Sequence, residues 1–332
     1  MALDGVFLRP LKREIEKTAV GARVDKIYQP NKNEILFLLR SREGTFRLLL
    51  SARANSARVH FTAYAPENPK EPPMLCMFLR KKLSGARLAG IRQPELERLL
   101  FLDFDTVNDL GDQERLTIAV EVMGRYSNII LIDGNGKIVD ALKRVDAGMT
   151  TGRLVLPGLP YRLPPPQDKL CLLSVGRSEI VARLQAIPGD KELSKALLLS
   201  LQGVSPIVCR ELAYLAGHGK DLTLRGMTQE QWERLSFFLQ RLCDMVRDVS
   251  GSPWIACTKE GKPLDFCFLR IGQYGSAAIV RQETSFSALL DDFYEERDRI
   301  ARMKARSQDL LRVLTNASDR LSRKINAQRA EL

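Results

Sequence analysis

Residues 87–142, RLAGIRQPELERLLFLDFDTVNDLGDQERLTIAVEVMGRYSNIILIDGNGKIVDAL, decide the fold class. Five apolar runs of strand length stand in this stretch: RLAGIRQ, RLLFLDFDTV, RLTIAVEVM, NIILID and KIVDAL. Between the last two, Asp133-Gly134-Asn135-Gly136 signals a hairpin, because Gly and Asn tolerate the positive φ such turns require. Upstream, residues 33–62 (NEILFLLRSREGTFRLLLSARANSARVHFT) form three more runs broken by Arg-Glu-Gly and a small polar cluster, a β-meander pattern. The segment joining the two β-regions, PPMLCMFLRKKLSG (72–85), has a Pro start, helix-spaced Met74, Met77, Phe78 and Leu83, and a Gly stop. It is predicted as a helix packed on the sheets.

Downstream, LPGLPYRLPPP (156–166) fixes φ and removes backbone donors, so neither helix nor central strand continues through it and a domain boundary is expected there. Helical spacing then dominates from 172 to 249, and PWIACTKEGKPLDFCFLRI (253–271) reads as one more hairpin that returns the chain to the β-domain. From Phe286 the sequence holds no Gly or Pro, and Phe286, Phe293, Ile300, Leu314 and Leu321 fall at multiples of seven residues. Met303 and Leu310 form a second seam, interrupted by Ser307 and Lys324. The expected organisation is α+β: a β-rich domain at 1–170 completed by 252–283, a helical domain at 171–251, and the first arm of a coiled coil at 284–332. That pattern is still running at Leu332, as in the front part of a longer protein, and its seam is expected to let the fragment self-associate.

With 332 residues, 45% hydrophobic and 27% charged, the chain has length for about two packed domains. Its net charge of +11 favours a polyanionic partner. Residues 299–330 carry nine basic side chains against two acidic ones, so this stretch alone contributes +7. Such one-sided charge reads either as a solvated helix face or as an RNA contact, with Arg302, Lys304, Arg306 and Arg312 as candidates. The N-terminus is charged from Asp4 onward, which argues against a secretory signal, and no stretch approaches the ~18 uncharged apolar residues of a membrane span. A cytoplasmic protein with no membrane partner is expected. The six scattered cysteines suit reduced core residues. His60 and His218 are too few for a His-rich site, and no phosphate loop, dinucleotide fingerprint, nucleophile elbow or metalloprotease motif is present. Neither a catalytic residue nor a metal or cofactor is expected.

Three short segments carry binding chemistry instead. Leu201-Gln202-Gly203-Val204-Ser205-Pro206, between two helical stretches, looks like the hairpin of a helix-hairpin-helix unit, in which backbone N–H groups point at a phosphate; a plain helix connector reads equally well. In Met123-Gly124-Arg125-Tyr126-Ser127-Asn128 the polar groups of Arg125, Ser127 and Asn128 suit phosphate or a base edge, or a turn satisfied by its own backbone. Glu97-Arg98 opens a strand and lies near Arg80, Lys81, Lys82, Arg87 and Arg92 in the sequence. The pair could recognise a base and a phosphate together, or form one surface ion pair worth under ~1 kcal/mol.

Taken in order, Asp4-Gly5-Val6-Phe7, Val24 through Pro30 followed by Asn33-Glu34, Pro72-Pro73-Met74 through Leu79-Arg80-Lys81, Met123-Gly124-Arg125 through Asn128, and Phe293-Tyr294 resemble the NFACT family across essentially the whole chain. The resemblance implies a β-rich NFACT-N domain similar to the formamidopyrimidine-DNA glycosylase architecture, then helix-hairpin-helix and coiled-coil segments. It further implies a non-enzymatic ribosome quality control factor. Such a factor binds the large ribosomal subunit (rRNA) holding peptidyl-tRNA and recruits alanine-accepting tRNA for template-free alanine tailing, the peptide-bond chemistry being left to the ribosome. The family's tRNA-handling signature, an early Asp and an Asp-Arg pair, matches Asp4 and, with Glu in place of Asp, Glu97-Arg98. The added methylene alters the reach of the acid, while the role of the Arg transfers directly. Two alternatives compete. A DNA glycosylase-like enzyme would need an N-terminal proline amine, where this chain has Ala2 after Met1, and zinc cysteines without counterpart here. A surface fibronectin/fibrinogen-binding adhesin would need an export or anchor sequence.

Overall fold

The computed structural model describes residues 3–108, 110–149 and 152–330, without the side chains of 296, 301, 302, 305, 306, 309, 327, 329 and 330. Helix α1 (Gly5–Ala19) is followed by strands β1 (Arg23–Asn31), β2 (Glu34–Ser41), β3 (Gly44–Ser51) and β4 (Arg58–Phe61). Helix α2 (Met74–Leu83) leads to β5 (Arg87–Arg92), β6 (Leu99–Val107), β7 (Gln113–Glu121), β8 (Asn128–Ile132) and β9 (Ile138–Ala141). All nine strands join one antiparallel sheet, ordered β4-β3-β2-β1-β5-β6-β7-β8-β9. The predicted β-regions are its two halves. They meet where Arg23 pairs with Arg87 and backbone hydrogen bonds join residues 21–24 to 85–88, and Phe37 of one half stacks on Phe104 of the other at 5.8 Å, so the sheet doubles over on itself.

Strand β6 explains why its sequence lacks polar alternation. Successive side chains point to opposite faces, and here both faces are covered. Leu100, Leu102 and Phe104 are buried on the face that meets Phe37. On the other face Leu99 and Phe101 join Ala119, Ile130, Ile132, Ile138 and Val155 in a second cluster capped by Val145 and Tyr161. The proline-rich segment expected to mark a domain boundary is thus a cover for the sheet. Backbone bonds from Ile138 to Leu159 and from Tyr161 to Gly136, each 2.8 Å, sew it down. Beneath it Glu121, 2% exposed, accepts from both terminal nitrogens of Arg153 (3.0 and 2.6 Å) and from the Tyr161 hydroxyl at 2.8 Å. The predicted Asp133–Gly136 turn forms with Gly136 at φ +78° and the Asp133 carboxylate accepting from the N–H groups of Asn135 and Lys137.

Helix α2 lies where expected but presents a different stripe. Cys76, Leu79 and Leu83 face the core, while Met74 and Met77 are 85% and 52% exposed. Four helices follow: α3 (Arg177–Gln185), α4 (Leu193–Ser200), α5 (Pro206–Gly217) and α6 (Gln229–Asp248). Thr228 and Gln231 make a reciprocal capping box at the start of α6, and His218 terminates α5 in a left-handed conformation at φ +49°, a structural role. The segment expected to complete the β-domain adds no strand to the nine-stranded sheet. Strands β10 (Trp254–Cys257), β11 (Pro263–Cys267) and β12 (Ile279–Gln282) form a sheet of their own, ordered β11-β10-β12. Its Phe266 packs edge-on against Phe7 of α1 at 5.0 Å.

Helix α7 (Phe286–Ala330) begins where the Glu14 carboxylate accepts from the N–H groups of Phe286 (2.7 Å) and Ser287 (3.0 Å). The chain divides into two compact units, Met1–Asp291 and Asp292–Leu332. In the second, the sequence-predicted seam residues Ile300, Met303, Leu310, Leu314 and Leu321 are exposed. Among the described residues no helix is long and apolar enough to cross a membrane.

Candidate nucleic-acid interface

Three segments far apart in sequence interlock in the first unit: the N-terminus of α1, the loop 93–98 between β5 and β6, and the turn 201–206 between α4 and α5. Glycines permit the close approach. A Cβ on Gly5 would stand 1.7 Å from the Leu96 carbonyl oxygen, and one on Gly203, whose φ is +67°, would stand 2.2 Å from the same atom. Neither position accepts a side chain without displacing the loop. Backbone and side-chain bonds complete the joint. Val6 N–H donates to Gly203 O at 3.0 Å, and the Gln93 amide donates to Gly5 O (2.7 Å) and Glu97 O (3.0 Å). Within the loop, Glu95 adopts φ +44°, a conformation L-residues avoid, and Glu97 N–H closes the turn onto Pro94 O at 2.9 Å.

Asp4 is the keystone of this joint. Its Oδ1 accepts from Phe7 N–H at 2.7 Å, capping α1, and its Oδ2 accepts from Ser205 N–H at 2.7 Å, so the same carboxylate also meets the start of α5. Only 4% exposed, it is a buried acid, and burial pushes it up to about 6 against the pull of its Ser205 and Phe7 hydrogen bonds and the neighbouring Arg98 guanidinium.

The joint frames a cleft of about 330 Å³ whose lining includes Asp4, Glu97, Arg98, Met123, Pro164, Pro165, Lys169, Gln202 and Ser205. Half-buried Glu97 and Arg98 therefore stand beside Asp4 and the 201–206 turn, as one site. Glu97 is tied across the cleft: its Oε1 accepts from the Gln202 amide at 2.7 Å. A carboxylate beside a guanidinium can accept from a base N–H while the guanidinium donates to a phosphate or a base acceptor. Gln93 and Gln202 escape notice as site residues in the sequence; the only signal was the position of Gln202 inside the hairpin-like motif.

The remaining candidates lie apart. Exposed Arg125 stacks its guanidinium 4.7 Å over Tyr126. Buried Ser127 accepts from Met123 N–H at 2.8 Å. Buried Asn128 donates to Lys143 O (2.7 Å) and accepts from the N–H groups of Ile129 and Lys143, each at 2.9 Å, so Ser127 closes its own turn while Asn128 ties the turn to the backbone of Lys143, after β9. The basic residues near Glu97-Arg98 in sequence are engaged elsewhere. Arg92 forks onto Asp103 at 2.6 and 2.9 Å, Arg80 donates to Ile27 O at 2.8 Å, and Arg87 donates to Gly21 O at 3.2 Å. Lys304 and Arg312 are exposed on α7; the side chains of Arg302 and Arg306 lie outside the described residues. Among the described residues no group of three or more His, Cys, Asp or Glu side chains could hold a metal ion.

The family pattern described as NFACT N-terminal and middle domains matches residues 4–332. The chain belongs to the NFACT family. Its NFACT relatives include the Rqc2 homolog RqcH of Bacillus subtilis, 36% identical over 329 residues, which cover 98% of this chain and 54% of that protein. The mouse ribosome quality control complex subunit NEMF is 23% identical over 263 residues, covering 78% of this chain and 23% of that one. Among solved structures, the N-terminal part of the fibronectin/fibrinogen-binding protein from Streptococcus suis superposes with a TM-score of 0.71 at 30% identity, over 88% of this chain and 99% of that one. This NFACT chain spans about half the length of the B. subtilis relative.

Proposed function

We propose that this NFACT chain is the tRNA-handling front part of a cytoplasmic ribosome quality control factor, and that the cleft at Glu97-Arg98 is where it holds tRNA. The observation that carries the reading is the convergence of Asp4, Glu97, Arg98 and the 201–206 turn on one cleft. The names of the B. subtilis and mouse relatives supply the process. In this reading the Arg98 guanidinium, planar and permanently charged, donates in a fork to a phosphate or a base edge. Glu97 accepts from a base N–H. Asp4 works from behind, because both its oxygens are taken by backbone donors. Helices α4 and α5 with their turn act as the helix-hairpin-helix unit, and α7 is the first arm of a coiled coil whose basic face lies along rRNA of the large subunit. The chain recruits alanine-accepting tRNA to a subunit still carrying peptidyl-tRNA. It contributes no covalent step, so alanine tailing uses the ribosome's own peptidyl-transfer chemistry.

Binding of labelled alanine-accepting tRNA to wild type and Arg98→Ala tests the reading. The variant should lose at least tenfold in affinity with an unchanged melting temperature, since a charge-assisted bond is worth ~1.5–3 kcal/mol. Equal affinity would remove Arg98 from the site. The alternative suggested by the name of the S. suis relative, binding to fibronectin or fibrinogen, predicts capture of those proteins at affinities indifferent to Arg98→Ala.

A further inference from the structure

Glutamate is an inefficient reader of a base edge. It has three rotatable side-chain bonds, and fixing them on binding costs conformational entropy. Glu97 is relieved of much of this freedom by Gln202, whose amide Nε2 stands 2.7 Å from Oε1. A carboxylate only accepts, so the amide must donate, which fixes the orientation of the Gln202 side chain. Gln202 is itself held: 8% exposed, it donates its backbone N–H to Leu170 O at 2.9 Å. The next residue, Gly203, is pressed against the backbone of Leu96, immediately before Glu97. Donor and acceptor are thus registered to each other through the backbone contact as well as through their hydrogen bond. The amide is not needed to keep the turn in place, because Val6 N–H to Gly203 O and Ser205 N–H to Asp4 Oδ2 anchor it independently.

We propose that Gln202 is a positioning residue for the tRNA cleft: from the α4–α5 turn, 105 residues away in sequence, its amide locks the Glu97 carboxylate in the orientation that receives the base. The proposal rests on the reading of the cleft as the tRNA site. It makes the helical segment part of the site's specificity, and it sets the arm length at position 97. An aspartate there would withdraw the carboxylate by about one C–C bond, ~1.5 Å, out of reach of an amide that cannot follow.

The test is a double-mutant cycle on the 332-residue chain with labelled, deacylated alanine-accepting tRNA as the probe. Gln202→Leu keeps the side-chain volume and removes the donor. It should weaken binding about tenfold at an unchanged melting temperature, whereas in a Glu97→Ala background it should cost less than twofold. Glu97→Asp should weaken binding as much as Gln202→Leu, and combining the two should add little. If Gln202→Leu binds as wild type while Arg98→Ala does not, the positioning role is overturned and the tRNA reading stands. Independent, additive losses from Gln202→Leu and Glu97→Ala would likewise overturn it, because they would show the amide acting on something other than the carboxylate. If Arg98→Ala also binds as wild type, the tRNA reading fails and the proposal falls with it.

Discussion

Replacing Asp4 by Asn should reshape the pH dependence of stability. The carboxyl sits at about 6 in the fold against an ordinary 3.8, and burial is the cause. A group raised in this way binds its proton more tightly folded than unfolded. Between roughly pH 4 and 6 the unfolded chain therefore carries fewer protons than the fold, and this group's contribution to stability declines as pH rises. Below pH 4 the contribution is complete; above about 6 it has been lost and the curve is level. The displacement corresponds to roughly 3 kcal/mol, and at ~2–4 °C per kcal/mol for a body of this size it amounts to some 6–12 °C in melting temperature. Asparagine carries no charge across the range, keeps an oxygen for the Phe7 N–H and loses the acceptor for Ser205. Other buried acids titrate too, but they are common to both proteins and cancel in the difference. The assay is urea or thermal unfolding of wild type and Asp4→Asn at half-unit steps from pH 4 to 8. Wild type should gain on the variant steadily as pH falls from 6 to 4. A difference constant to within ~0.5 kcal/mol over that range, or one that moves in wild type's favour as pH rises, would refute the view that burial dominates at Asp4.

Gly203→Ala should destabilise the protein by at least ~2 kcal/mol and abolish tRNA binding, since the new methyl would meet Leu96 O at 2.2 Å with φ at +67°; melting and tRNA titration report the two effects. Glu121→Gln should cost ~3 kcal/mol, because it leaves the largely buried Arg153 guanidinium with a neutral partner; denaturant midpoints measure it, and tRNA affinity in the folded fraction should stay unchanged. Leu310→Glu together with Leu314→Glu should abolish concentration-dependent self-association of the chain in sedimentation without moving the melting temperature of the first unit, as both side chains are exposed on α7.

Strands β5 to β9 were legible in 87–142 because a strand is a local object: a short apolar run between turn residues needs no knowledge of the rest of the chain. Helix α1 is hidden in the sequence, since Pro10 interrupts the backbone donors where a helix pattern would otherwise emerge from Val6, Phe7, Leu11 and Ile15. The buried stripe on α2 is ambiguous in sequence for a related reason. Met74 and Cys76 are both apolar, and periodicity cannot say which of two overlapping stripes meets the sheet. Asp4 and the Glu97-Arg98 pair could be nominated by adjacency, charge and resemblance, whereas their union could not. The bonds that make the site, Gln202 to Glu97 and Ser205 to Asp4, span 105 and 201 residues. Ser127 and Asn128 show the opposite limit: a hydroxyl or an amide looks the same in sequence whether it faces a phosphate or bonds protein backbone, as Ser127 does at Met123 and Asn128 at Lys143.

The interlocked construction separates two ways of losing function that a binding assay alone would confuse. Arg98 reaches the cleft directly, so its removal should cost affinity and salt dependence while leaving the joint intact. Gly5, Gly203 and Leu96 offer a ligand no charged or hydrogen-bonding side chain, yet their close packing leaves no room for a methyl group between the 93–98 loop and either α1 or the α4–α5 turn. Changes there should lower stability and affinity together, and added tRNA should recover part of the lost stability through linkage, because ligand binds only the closed joint. Most of the net charge of +11 lies outside the cleft, +7 of it within 299–330. In the proposed reading, nonspecific attraction to RNA and selection of a tRNA fall to different parts of the chain. Raising the salt concentration should weaken the first far more steeply than the second, so the affinity ratio between wild type and Arg98→Ala should shrink much less with salt than either affinity alone.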